Sequence, residues 1–134
     1  MNSYEWYLNL TKPSWAPPAW VFAPVWTFLY IIIFISFGYV FYKALTGKIP
    51  LIVIIPFLLN LIFNFAFTPI QFGLKNNILA LFDIFLILVT LIWGLSFIWF
   101  NLPQLKWVVY VNIPYLLWVI FATILQITIT YLNL

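Results

Sequence analysis

Apolar residues fill this chain in four long blocks, and polar residues gather mostly between them. The first block runs over 18–42, the second over 51–72, the third over 78–100 and the fourth over 105–132. Each meets the requirement of roughly 20 apolar residues for a helix crossing a bilayer. Lys43, Gly47, Lys48 and Pro50 punctuate the first break, and Gly73, Lys75, Asn76 and Asn77 the second. Asn101 and Pro103 make the third. Asn77 is a plausible N-cap for the third helix. The breaks are short, so successive helices should run antiparallel. The pattern predicts an all-α integral membrane protein: a single transmembrane domain over 1–134, with an N-terminal loop over 1–17. That loop carries no basic region followed by a short apolar core, so it does not read as a signal peptide.

Prolines fall inside several blocks, at Pro24, Pro56, Pro69 and Pro114. A kink or break is the usual result in a membrane helix. Pro114 comes early in the fourth block, so the section before it, 106–113, should be tilted or irregular.

Composition agrees with the pattern. Of 134 residues, 67% are hydrophobic and 5% charged, against roughly 25% charged in soluble domains. The five lysines outnumber Glu5 and Asp83, giving a net charge of +3, and form no basic run of the kind nucleic acid requires. With no Cys, thiol chemistry and disulfides are excluded. With no His, the commonest general base and metal ligand are missing. With two carboxylates in all, a paired-carboxylate or multi-carboxylate metal site is not expected. Loops 43–49 and 101–106 share one side and carry Lys43, Lys48 and Lys106; the other side carries Lys12 and Lys75. The excess of one lysine favours the first side as cytoplasmic.

Aromatic residues make up 23% of the chain, with eight Trp and eight Tyr. Interfacial belts account for many of them, but not for those in mid-span. Polar groups inside spans are costly, so each should have a reason. Asn60 and Asn64 stand at i and i+4 on one helix face. Asp83 lies about two turns into the third span and should face the bundle interior as interhelical hydrogen-bonding glue. Tyr115, Trp118, Ala122 and Gln126 form a stripe on the fourth span, and Trp26 and Tyr30 pair on the first. Ordinary packing explains such spacing; a small residue beside a large aromatic also opens a slot.

The segment WYLNLTKPSWAPPAWVFAPVWTFLY (Trp6–Tyr30) resembles a loop and helix of the tryptophan-rich sensory protein family, TspO/MBR, which includes the mitochondrial translocator protein or peripheral benzodiazepine receptor. LLNLIFNFAFTPIQFG (Leu58–Gly73), ALFDI (Ala80–Ile84) and PYLLWVIFATIL (Pro114–Leu125) follow in the family's order. Family members have five membrane helices, the first preceding the Trp-Tyr pair that stands here at Trp6 and Tyr7. The expectation is therefore a bundle without that first helix. Phe65 and Phe67 stand where the family often has Trp, and Gln126 where it commonly has Asn. No basic residue follows Lys106, so the family's C-terminal cholesterol-recognition motif is absent.

The resemblance implies a receptor or carrier for flat apolar ligands, tetrapyrroles such as protoporphyrin and haem above all, with no cofactor required. The implied ligand site comprises Tyr7, Trp26, Tyr30, Asn64, Phe67, Trp118 and Ala122, with Asn60 as a secondary candidate. Pro17 and Pro18 would shape a lid. Alternatives are light-dependent porphyrin degradation through pocket tryptophans, and a membrane interaction protein without its own ligand. Membrane lipid is the expected surrounding partner, a homodimer is implied although no Gly-x-x-x-Gly seam is present, and the bacterial inner membrane is the expected location.

Overall fold

The computed structural model of the chain describes residues 3–134; the first two positions of the expected N-terminal loop lie outside the described residues. Six α-helices follow in order: α1 (Ser3–Leu8), α2 (Phe22–Leu45), α3 (Ile54–Thr68), α4 (Asn77–Asn101), α5 (Lys106–Val111) and α6 (Ile113–Leu132). Short 3-10 turns at Ala19–Val21 and Leu51–Val53 lead into α2 and α3. Among the described residues four stretches are long and apolar enough to cross a bilayer: Ala19–Leu45, Leu51–Gly73, Asn77–Asn101 and Ile113–Leu132. The protein is an all-helical integral membrane bundle.

The middle of the bundle is α4, which packs most extensively against α3 on one side and α6 on the other. Gly94 makes the first of these contacts possible. A Cβ there would sit 2.9 Å from Cζ of Phe57, a fully buried ring. Phe57 cannot retreat easily, because its ring meets Phe37 edge-on at 4.8 Å. The core continues through Leu29, Ile33 and Val40 of α2, Ile84, Leu91 and Ile98 of α4, and Tyr115 and Val119 of α6. Outward faces remain apolar, with Phe34, Phe65, Phe82 and Phe100 exposed. That inversion suits a hydrocarbon solvent.

The prolines start helices instead of kinking them. Pro24 and Pro56 are the third residues of α2 and α3, and Pro114 is the second of α6. The missing N–H falls in a first turn, where no intrahelical partner exists for it. Pro69 does break its helix: α3 passes into a π turn over Pro69–Gly73, closed by Leu74 N–H donating to the Pro69 carbonyl at 2.9 Å.

Three expectations need correction. The N-terminal loop contains a helix, α1, whose last carbonyls, of Tyr7 and Leu8, accept from the Lys12 ammonium at 3.1 Å each, as does the Leu10 carbonyl just beyond it. The N-cap of α4 is Asn76, not Asn77. Its side chain accepts from Leu79 N–H at 2.9 Å, while Asn77 has already entered the helix. Asp83 is buried as expected, but it is not hydrogen-bonding glue. Its Oδ2 has no partner among the described residues. The fourth block is split at Asn112, whose Nδ2 donates across to Ser36 Oγ on α2 at 2.9 Å. Pro114 cannot donate to the Tyr110 carbonyl, so the helix has no bond to carry it through that point.

Replacing Gly94 with Ala should overfill the α3–α4 contact. Overpacking of this kind typically costs about 1–3 kcal/mol. A thermal melt of Gly94→Ala in detergent should therefore fall clearly below that of the native chain; an unchanged midpoint would show that Phe57 yields freely.

Candidate ligand cavity and its lid

A cavity of about 320 Å³ opens between α2, α3, α4 and α6 at the end of the bundle where α4 begins. That lies near the lower end of small-molecule sites, roughly 300–1,000 Å³. Seven aromatic rings line it, from Tyr7, Phe22, Trp26, Tyr30, Phe67, Phe72 and Trp118, and no charged side chain does.

The aromatic walls are set by helix spacing. Trp26 and Tyr30 lie one turn apart on α2, with ring centres 5.5 Å apart. Trp118 and Ala122 lie one turn apart on α6, and Phe22 meets Trp118 edge-on at 6.0 Å. The Ala122 methyl leaves space beside that indole. Trp118 Nε1 is itself buried and has no hydrogen-bond partner among the described residues. A buried donor left unmade costs about 1–3 kcal/mol.

One polar wall belongs to a directional hydrogen-bond chain. Tyr30 O–H donates to Asn64 Oδ1 at 2.9 Å, and Asn64 Nδ2 donates to the Tyr115 hydroxyl at 2.8 Å. Tyr115 in turn donates to Asn60 Oδ1 at 2.9 Å, and Asn60 Nδ2 reaches the Ile87 carbonyl at 2.9 Å. At the other polar wall, Gln126 Nε2 donates to Gln71 Oε1 at 3.1 Å, and Gln71 Nε2 to Asn77 Oδ1 at 2.9 Å.

Seven of the ten residues singled out in the sequence meet here: Tyr7, Trp26, Tyr30, Asn64, Phe67, Trp118 and Ala122 all line the cavity. Asn60 does not; it lies deeper, fully buried, within the hydrogen-bond chain. Pro17 and Pro18 stand outside the lining, in the stretch entering the turn before α2. Gln71 was not anticipated as a lining residue. It sits where the sequence reads as the end of a span, and the π turn points it inward. Gln126 was noted only as part of a stripe.

Residues 7–16 are the candidate lid, and of these Tyr7 reaches the cavity lining. Tyr7 is buried against Leu125 and Ile129, with Leu10 and Ala16 packed beside them. Its ring meets Phe22 at 6.3 Å and Phe72 at 5.5 Å, both edge-on. Burial raises the Tyr7 phenol above its usual pKa, so it stays a neutral hydroxyl. The lid is fastened at its far end. Thr11 N–H donates to Asn133 Oδ1 at 3.0 Å, and Asn133 Nδ2 donates back to the Thr11 carbonyl at 2.8 Å. A carboxamide supplies both a donor and an acceptor, so it pairs with one residue's backbone much as a neighbouring strand would.

The TspO/MBR family profile matches residues 1–132. This chain belongs to the TspO/MBR family. The tryptophan-rich protein TspO of Bacillus cereus is 38% identical over 110 residues, covering 76% of this chain and 71% of that protein. The corresponding protein of Archaeoglobus fulgidus is 32% identical over 116 residues, 78% of this chain and 72% of its own length. The human translocator protein is 40% identical over 87 residues, 62% of this chain and half of its own length. The TspO/MBR match extends over the lid, the aromatic walls and both polar walls of the cavity.

The Thr11–Asn133 clasp generates a test that needs no ligand. The chain contains no Cys, so Ala122→Cys places a single thiol on the cavity wall. Adding Asn133→Ala removes both hydrogen bonds to Thr11, each worth about 0.5–1.5 kcal/mol, and should speed maleimide labelling of that thiol roughly tenfold. Equal labelling rates with and without the clasp would mean that reagents reach the cavity by another route.

Proposed function

We propose that this protein is a membrane receptor or carrier for flat, largely apolar ligands of the tetrapyrrole class, protoporphyrin or haem. The observation that carries the proposal is an uncharged cavity walled by seven aromatic rings, those of Trp26 and Trp118 among them. Ring faces stack on a planar π system, and an indole N–H fixes its orientation by meeting an acceptor at its edge. The cavity holds part of a macrocycle while the lid is down. The remainder, with its carboxylates, extends toward the mouth, where Tyr7 and the lid backbone are displaced.

Relatives named translocator protein and tryptophan-rich sensory protein support a carrier or receptor role. Bacterial relatives support a bacterial inner membrane as the location. Haem and the metal-free ring should bind alike, since no His is present to ligate iron and the recognition is by stacking. The light-dependent degradation reading rests on Trp26 and Trp118, which share the cavity wall.

Titration with protoporphyrin in the dark and in the light tests both readings. Binding in the dark with an unchanged spectrum in the light is the expected result. Light-dependent spectral loss that disappears in Trp118→Phe would favour degradation, and no binding above the detergent background would refute the proposal. Ala122→Thr fills the slot beside Trp118, at a typical overpacking cost of about 1–3 kcal/mol, and should weaken binding roughly five- to a hundredfold. Trp118→Phe keeps the ring face but loses the donor, and should weaken it about three- to tenfold. If Ala122→Thr instead lowers the melting temperature and leaves porphyrin affinity intact, Ala122 is a packing residue and not part of the ligand site.

A further inference from the structure

At the opposite end of the bundle, the break at Asn112 leaves a groove of about 200 Å³ between α4, α5 and the start of α6. Its walls are apolar, from Ile92, Leu95, Val109, Ile113 and Leu116, and Trp99 stands at its rim. One polar atom faces this site. Ser36, Thr90, Thr123 and Thr128 each donate to the carbonyl four residues back in their helix. The Ser96 hydroxyl, on the groove wall, makes no hydrogen bond among the described residues. It lies five residues before the end of α4, about 7.5 Å along the helix axis.

The rim is cationic. The Lys106 ammonium sits 4.3 Å from the centre of the Trp99 ring, and Tyr110 meets that ring edge-on at 5.8 Å. On α2, Lys43 lies 5.4 Å over Tyr39, whose ring meets Trp107 at 5.2 Å. Neither carboxylate of the chain is at this end: Glu5 is in α1, and Asp83 is near the start of α4. The Lys106 ammonium is thus held on the face of a groove-lining ring, with no acidic side chain to neutralise it.

We propose that this groove is a binding site for a phospholipid with an anionic headgroup. The headgroup pairs with Lys106, the Ser96 hydroxyl donates to an ester carbonyl one layer deeper, and one acyl chain lies along Ile92, Leu95 and Leu116. This end carries Lys43, Lys48 and Lys106 against Lys12 and Lys75 at the lid end. The excess of one lysine favours this end as the cytoplasmic one, where anionic lipid is concentrated. The site is separate from the ligand cavity and does not depend on what that cavity binds.

Native mass spectrometry of the full chain, supplied with phosphatidylglycerol or phosphatidylcholine of identical acyl chains, tests this. The native chain should retain phosphatidylglycerol at least about fivefold better, as expected from one lysine–headgroup contact. Lys106→Gln should erase that preference, and Lys75→Gln at the lid end should preserve it. Ser96→Phe, which fills the groove, should lower retention of both lipids; should that variant fail to fold, Lys106→Gln decides alone. Equal retention of the two lipids by the native chain would overturn the proposal. So would a preference that survives Lys106→Gln, or one lost equally in Lys75→Gln.

Discussion

Four helices of this bundle are joined by one hydrogen-bond network centred on a phenolic oxygen. The Tyr115 hydroxyl, on α6, receives a hydrogen bond from Asn64 and gives one to Asn60, both on α3. Through Asn64 the chain reaches Tyr30 on α2, and through Asn60 it reaches the Ile87 carbonyl and Thr90 on α4. Apolar burial gives little drive for helices to associate within lipid, because the surroundings are as apolar as the side chains. Packing and interhelical hydrogen bonds must therefore select the arrangement. This network fixes the rotation of α2, α3 and α6 about their axes, and that rotation turns Trp26, Phe67 and Trp118 toward a common space.

The same network separates two kinds of polar residue. Asn60 and Asn64 look equivalent in the sequence, one turn apart on one face. In the bundle Asn60 is committed entirely to structure, while Asn64 is shared between the network and the cavity wall. Both of Asn64's polar atoms already have partners, so the wall there is rigid. The stacking surface is supplied from several sides, by Trp26 and Tyr30 of α2, Phe67 of α3 and Trp118 of α6.

The span positions were legible because hydropathy over about 20 residues is a strong signal. The cavity walls were legible only through the family resemblance: spacing by four paired Trp26 with Tyr30 and Trp118 with Ala122, but ordinary packing explained that spacing equally well. What escaped depends on partners distant in sequence. The Asn133 clasp joins residues 122 positions apart, and nothing in either local segment announces it. Asn76 and Asn77 are both acceptable caps, and only the helix phase decides between them. The stripe containing Tyr115, Trp118, Ala122 and Gln126 read as one face, but a face of that width reaches both the core and the cavity, and Tyr115 falls on the core side. Asp83 shows the reverse limit. Its burial followed from cost, but its lack of a partner could not.

The π turn at Pro69–Gly73 has a consequence for how this protein tolerates change. A π turn carries one residue more than the α-helical turn it replaces, and each residue in an α-helix advances the side-chain direction by about 100°. Deleting a single position there would let α3 run on regularly and would swing Gln71 and Phe72 out of the cavity toward lipid. The segment joining α3 to α4 looks like an ordinary loop, where length drifts freely between relatives. Here its length is a phase setting, and substitutions should be accepted far more readily than insertions or deletions.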